Sequence, residues 1–299
     1  MSLAGKLFPL SQIPCRLRNQ FMRTRFGQRV VVPFGRDLRP ERWIFVVSCY
    51  DSGTTLLKEM LSQHPQIGAL PGEGVRFTDS LPRPEEAGWN RLWCRCVDHV
   101  RLDPGPQSAG RARRIRRQWS ILYPRRPNLL EKSIANAARI PFLQEHFQPA
   151  YFVYLVRNGY AAAEGIRRKA RPGRWGNPEY PDRYPIAVCA EQWRETDRWV
   201  RRDEPAVERF LLLYYEDLTA DPAATLTRLT DFLGLAPMPD HVLGRTWRIH
   251  GVLSSVRNMN PASFARLTEE DKDAIEAVAG PELARHGYGR PVSGSSASV

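Results

Sequence analysis

Lysine is nearly absent from this chain. Of 44 basic residues only Lys6, Lys58, Lys132, Lys169 and Lys272 are lysine, and the rest are arginine. Cysteine is sparse as well: Cys15, Cys49, Cys94, Cys96 and Cys189 form an odd set without metal-ligand spacing. Cys94-Arg-Cys96 lacks the two-residue gap of a zinc knuckle and no second pair follows, so no bound metal is expected. Such cysteines read as reduced thiols. No stretch approaches 18 consecutive apolar residues, so no transmembrane helix is expected. The first residues carry no secretory hydrophobic core. These absences make the cytoplasm the expected location. No internal repeat is found.

What is present is a 299-residue chain with 42% apolar residues, enough for a sizeable core, and a net charge of +12. Guanidinium suits bidentate contact with phosphate and sulfate. A basic chain favours anionic ligands, nucleic acid or acidic membrane surfaces, and solvated charge is the bland alternative. No motif specific to nucleic acid stands out. Residues 1–40 are basic, with Leu7, Phe8, Leu10, Ile13, Leu17 and Phe21 between arginines. An amphipathic helix resting weakly on an anionic membrane through residues 1–30 is one reading; a segment packed on its own domain is the other.

The stretch 43–63 organises the rest. Trp43 to Ser48 is short, apolar and β-branched, which predicts a buried strand. Leu56, Leu57, Met60 and Leu61 have helical spacing. Between them Ser52-Gly53-Thr54-Thr55 turns without a bulky side chain. A strand that turns through glycine into a helix start presents backbone N–H groups at the positive end of the helix dipole, an anion site. This is not a Walker A loop, because Thr54 follows Gly53 directly and no lysine lies in the turn. Lys58 falls too deep along the helix. The bland reading is a helix capped by Ser52 or Thr54.

Further strands are expected at Ile67–Leu70, Tyr151–Val156 and Phe210–Tyr214, with 128–133 a short strand or loop running into a helix, separated by helices that include 187–201 and Pro222–Leu233, the last ended by Gly234. Alternating strands and helices imply a parallel sheet covered on both faces. Residues 82–128, rich in Arg, Pro and Trp, read as a helical insertion over the sheet. Arg111–Arg117 there reads as an exposed face, and the segment as either an acceptor-site wall or a solvated basic helix. Residues 170–186 read as a long irregular loop, a candidate lid, and 291–299 as a flexible tail. One domain is expected over 41–290.

From Ser52 onward, Ser52-Gly53-Thr54-Thr55-Leu56-Leu57 resembles the 5′-phosphosulfate loop of sulfotransferases that use 3′-phosphoadenosine 5′-phosphosulfate (PAPS). Four more elements match that family in order: Glu131-Lys132-Ser133; Tyr154-Leu-Val-Arg157-Asn158-Gly159; Tyr214-Tyr-Glu-Asp-Leu through Phe232-Leu-Gly-Leu235; and Asn258–Leu267 with Gly287-Tyr288. The resemblance spans roughly 43–290. It implies a P-loop NTPase-like α/β fold with a central parallel sheet, and transfer of a sulfonate from PAPS to a hydroxyl or amine of a metabolite, lipid or glycan, leaving PAP. It implies Glu73 as general base, with His64 as a rival, and Lys132 on the transferring group. Asp51, Ser52, Gly53, Thr54, Thr55 and Leu56 fall in the phosphosulfate turn. Arg157 is placed on the 3′-phosphate, where a parallel strand ends; Arg257 and Ser263 are further candidates for the nucleotide.

Two positions depart from the family. Asp51 stands where the family carries a cation, and the reading favoured here pairs it with a nearby arginine. Gly165 stands where the family has a phosphate-binding serine, with Arg167 or Arg168 as replacements. The aromatics of 175–184 line the acceptor site or belong to the core. A non-catalytic basic anion-binding protein and a P-loop-like kinase are the alternatives.

Overall fold

Residues 14–177, 179–242, 246–249 and 252–292 are described by a computed structural model. Residues 1–13 of the basic segment and the tail from 293 lie outside them.

Helices α1 (Cys15–Met22) and α2 (Arg25–Val30) precede the first strand, β1 (Arg42–Ser48). Helix α3 (Thr54–Leu61) follows the turn, then β2 (Ile67–Ala69). The segment after β2 carries α4 (Val97–Val100) and α5 (Ser108–Trp119) before β3 (Asn128–Glu131). Next come α6 (Ile140–His146), β4 (Ala150–Val156), α7 (Gly159–Lys169), α8 (Ile186–Asp203) and β5 (Phe210–Tyr214). Helices α9 (Tyr215–Ala220) and α10 (Pro222–Leu233) lead to a small antiparallel pair, β6 (Trp247–Ile249) and β7 (Val252–Ser254), and the described chain closes with α11 (Asn260–Phe264) and α12 (Glu269–Arg285).

The main sheet has five parallel strands in the order β2-β3-β1-β4-β5. Side chains alternate across a strand, and β1 shows the consequence. Trp43, Phe45 and Val47 enter one core with α5, α6, α7, α8 and α12, while Ile44 and Val46 enter the other with α3 and α10. A strand apolar on both faces can be satisfied only between two helical layers, which explains the uninterrupted run Trp43–Val47.

Residues 82–128 contribute side chains to the larger core. Leu92, Trp93, Val100, Ala112, Ile115 and Trp119 are buried in the larger core. The exposed basic face expected over 111–117 holds for Arg111 and Arg113 only. Arg116 is buried, its Nε donating to Asp37 Oδ1 at 2.5 Å, because three- and four-residue spacing turns Ala112, Ile115, Arg116 and Trp119 inward together.

The irregular stretch around 170–185 is anchored at Gly88 and Trp89. Asn177 donates to the Gly88 carbonyl at 3.0 Å, and Tyr180 and Tyr184 pack on Trp89 with ring centroids 6.3 Å away. Its aromatics therefore join the core side and not the cleft described next; Trp175 is exposed.

Candidate active site

Each of the five sheet strands delivers a residue at its carboxyl end to one cleft of about 630 Å³. The β1 turn brings Asp51, Gly53, Thr54, Thr55 and Leu56; the loop after β2 brings Glu73; β3 runs into Lys132, β4 into Arg157 and β5 into Tyr215. Ligands of open parallel sheets bind at this edge because only there do all the strand-to-helix turns face one space.

The helix start is built for an anion. Gly53 is the N-cap of α3, and no side chain caps the first turn, so the expected alternative of a cap by Ser52 or Thr54 does not occur. Gly53 has φ 87°, and a Cβ there would lie 2.5 Å from the Tyr215 ring, so both backbone and space demand glycine. Ser52 is buried beneath the turn, and its Oγ has no partner among the described residues.

Arg157 is held on every side. Its Nε donates to Asn260 Oδ1 at 2.8 Å, its Nη1 to the Asp51 carbonyl at 2.5 Å, and its guanidinium lies 4.5 Å from the Tyr215 ring centre. Trp193 Nε1 donates to the Arg157 carbonyl at 2.9 Å. Asn260 donates in turn to Glu216 Oε1 at 2.6 Å, and the Tyr288 hydroxyl to Glu216 Oε2 at 2.9 Å. The buried Nη2 has no partner among the described residues, and no described carboxylate forms an ion pair with this guanidinium. Burial lowers its pKa, against the pull of Tyr215 and Asp51. An unpaired N–H on a buried cation fits an anionic oxygen.

Lys132 Nζ lies 3.2 Å from Glu73 Oε1 and 3.4 Å from Thr55 Oγ1, so it bridges the turn and the carboxylate. Its neighbour Glu131 faces away. There Glu131 accepts from Gly74 N at 2.7 Å and from Ser133 and Asn136, and burial raises its pKa. Val75 N donates to Ser133 Oγ at 3.1 Å and Trp119 Nε1 to the Gly74 carbonyl at 3.1 Å. These bonds fix the backbone directly after Glu73. Arg76 approaches Glu73 only to 3.9 Å.

Several expected residues stand elsewhere. His64 is buried outside the cleft: Gln66 N donates to its Nδ1 at 3.2 Å and its Nε2 donates to the Ala236 carbonyl at 3.0 Å, so neither ring nitrogen is free to act as a base. Lys58 pairs with Glu59 at 2.8 Å. Arg167 grips Asp271 through two bonds of 2.6 and 2.7 Å and is not available to replace a serine at 165; Arg168, Arg257 and Ser263 do line the cleft. Gly165 does not line it. Asp51 pairs with Arg91 and with Lys169. Neither Arg91, Lys169 nor Tyr215 was given a role by the sequence. Arg91 lies among many arginines of its segment, and nothing in its neighbours marks it out.

A cation-lined cleft at the carboxyl edge of a parallel sheet, with a free helix start on one wall, defines an α/β protein that takes a phosphorylated ligand. The profile of the sulfotransferase family matches residues 43–240, more than half the chain, and the protein belongs to that family. The chain is 27% identical over 214 residues to protein-tyrosine sulfotransferase A of Caenorhabditis elegans, covering 69% of this chain and 53% of that protein. It is 26% identical over 176 residues to omega-hydroxy-beta-dihydromenaquinone-9 sulfotransferase Stf3 of Mycobacterium bovis, covering 57% of this chain and 44% of that protein. It thus spans about half the length of these relatives. Among solved structures, sulfotransferase STF9 from Mycobacterium avium aligns with TM-score 0.55 at 14% identity, over 94% of this chain and 89% of that one. The sulfotransferase domain of the Synechococcus PCC 7002 olefin synthase aligns with TM-score 0.51 at 22% identity, over 86% and 98%. The fold is the P-loop-like sulfotransferase fold, and PAPS is the donor general to this family.

Proposed function

We propose that the protein is a PAPS-dependent sulfotransferase acting on a hydroxyl or amine. The observation that carries this is the meeting of Glu73, Lys132 and Arg157 with the uncapped start of α3 in one cleft. The residues fit the nucleotide: Gly53, Thr54, Thr55 and Leu56 for its 5′ end, and Arg157, with its free Nη2, for the 3′-phosphate, with Arg257 and Ser263 beside it. PAPS supplies the activated sulfonate. Glu73 would accept the proton of the acceptor hydroxyl as that oxygen bonds to sulfur and the bond from sulfur to the 5′-phosphate oxygen breaks, PAP leaving with the electron pair, and Lys132 would balance the charge on the sulfonyl oxygens.

PAP at 100 times its dissociation constant is expected to stabilise the protein by about 2.7 kcal/mol. Arg157→Ala should remove most of that, and stabilisation by ATP but not PAP would overturn the reading. Labelled PAPS should pass label to an acceptor in cell extract. A tyrosyl peptide and an omega-hydroxy-beta-dihydromenaquinone, the kinds of acceptor named for the two relatives, are the first pure compounds to offer. With an acceptor in hand, Glu73→Gln should slow turnover about 10²–10⁴-fold, the usual worth of a general base, and leave PAP binding intact.

Two finer points belong to the same reading. All five cysteines are free, which supports a reducing compartment such as the cytoplasm. Phe26 and Phe34 are 71% and 54% exposed beside the exposed Arg23, Arg25 and Arg29, which supports contact with an anionic membrane. Each arginine near such a surface contributes about 1 kcal/mol. Sedimentation with phosphatidylglycerol vesicles but not phosphatidylcholine vesicles, lost in Phe26→Ser/Phe34→Ser, is the expected result.

A further inference from the structure

The turn from residue 49 to 55 holds no lysine or arginine, and it holds a carboxylate. A negative side chain at a helix start that receives an anion opposes binding unless it is neutralised. The Asp51 side chain is 4% exposed and is neutralised twice over, by Arg91 and by Lys169. These cations come from different elements, Arg91 from the segment between β2 and β3 and Lys169 from the last turn of α7. Both line the cleft together with Thr54 and Thr55.

Arg91 is positioned at a conformational cost. It is a non-glycine residue at φ 65°, in the left-handed region. Its guanidinium stacks over the Tyr50 ring at 5.0 Å, and its buried Nε has no partner among the described residues. Gly165 belongs to the same arrangement. A Cβ on Gly165 would lie 2.7 Å from the Asp51 Cβ and 2.8 Å from its Cγ. The carboxylate can turn inward only because residue 165 has no side chain. The two departures at 51 and 165 are therefore one structural feature.

We infer that Asp51 is a positioning residue that holds Arg91 and Lys169 over the phosphate turn, and that these two cations bind the 5′ phosphosulfate end of the donor. Two cations and one carboxylate leave one net positive charge at the turn, carried by side chains from outside it. Burial acts to raise the Asp51 carboxyl, and the charges of Arg91 and Lys169 outweigh it and hold it below the usual carboxylate range. The clamp thus stays charged at neutral pH. This inference rests on the PAPS reading above.

Calorimetric titration of the full chain with PAP and with 3′-AMP, which lacks the 5′-phosphate, separates the two ends of the nucleotide without needing an acceptor. Lys169 is 37% exposed, so Lys169→Met should fold; Arg91→Gln is the partner variant, and melting curves check both. Each is expected to weaken PAP roughly tenfold and leave 3′-AMP unchanged, whereas Arg157→Ala weakens both ligands. Asp51→Asn and Gly165→Ala should weaken PAP as well, since each releases the cations. The inference is overturned if Arg91→Gln and Lys169→Met both bind PAP like the parent, or if Asp51→Asn binds it more tightly. A parent protein that binds neither nucleotide would instead overturn the sulfotransferase reading, and this inference with it.

Discussion

Asp51 also sets an acid limit on the fold. Its carboxyl titrates lower in the folded chain than in the unfolded one, under the charges of Arg91 and Lys169 that overcome burial. A depressed carboxyl stabilises the fold above the unfolded value, near 3.9, and that contribution is lost as pH falls through the folded value. The stability gap between the parent and Asp51→Asn should be full at pH 7 and should close progressively below about pH 4. Denaturant melts at pH 7, 5 and 3 measure it, and a gap that does not change with pH would remove the carboxylate from the account. Lys132 makes a separate residue-scale prediction. Among the described residues it is the only cation bonded to both Glu73 and Thr55, and Lys132→Ala should cost about 10²–10³ in turnover, the value of one electrostatic stabiliser.

At the scale of elements, the loop carrying Glu73 depends on α5. Trp119 is fully buried, packs against Trp43 with ring centroids 6.1 Å apart and planes tilted by 51°, and donates to the Gly74 carbonyl. Trp119→Phe removes the donor and the five-membered ring, so it should cost more stability than the about 1 kcal/mol of one hydrogen bond, because a buried cavity is left as well. It should lower turnover without changing PAP affinity, because it loosens the carboxylate and not the nucleotide grip. Equal loss of both would mean that the helix supports the whole cleft. The longer strands and helices were legible because their apolar periods are clear: Trp43–Ser48 and Tyr151–Val156 read as strands, and Gly234 marks the end of α10. The local turn at Gly53 was legible too. The partners of Asp51 were not, since Arg91 is 40 residues away and Lys169 118 residues away. A one-sided pattern in sequence carries no information about which of many arginines turns inward. The steric reason for glycine at 165 is equally nonlocal, as it lies in the Asp51 side chain.

Across the whole molecule, the nucleotide grip draws on chain that lies beyond the sheet. The five strands are complete by Tyr214. The bond that orients Arg157 comes from Asn260, 103 residues later, and Glu216 is held in place by Tyr288. During synthesis at about 5–20 residues per second, Arg157 therefore waits roughly 5–20 s for Asn260 to appear. A nascent chain arrested near residue 240 should fail to retain PAP, which arrested-chain pulldown on immobilised PAP would read directly. Nucleotide competence is thus conferred late, and a partly made or C-terminally clipped copy would not sequester the donor.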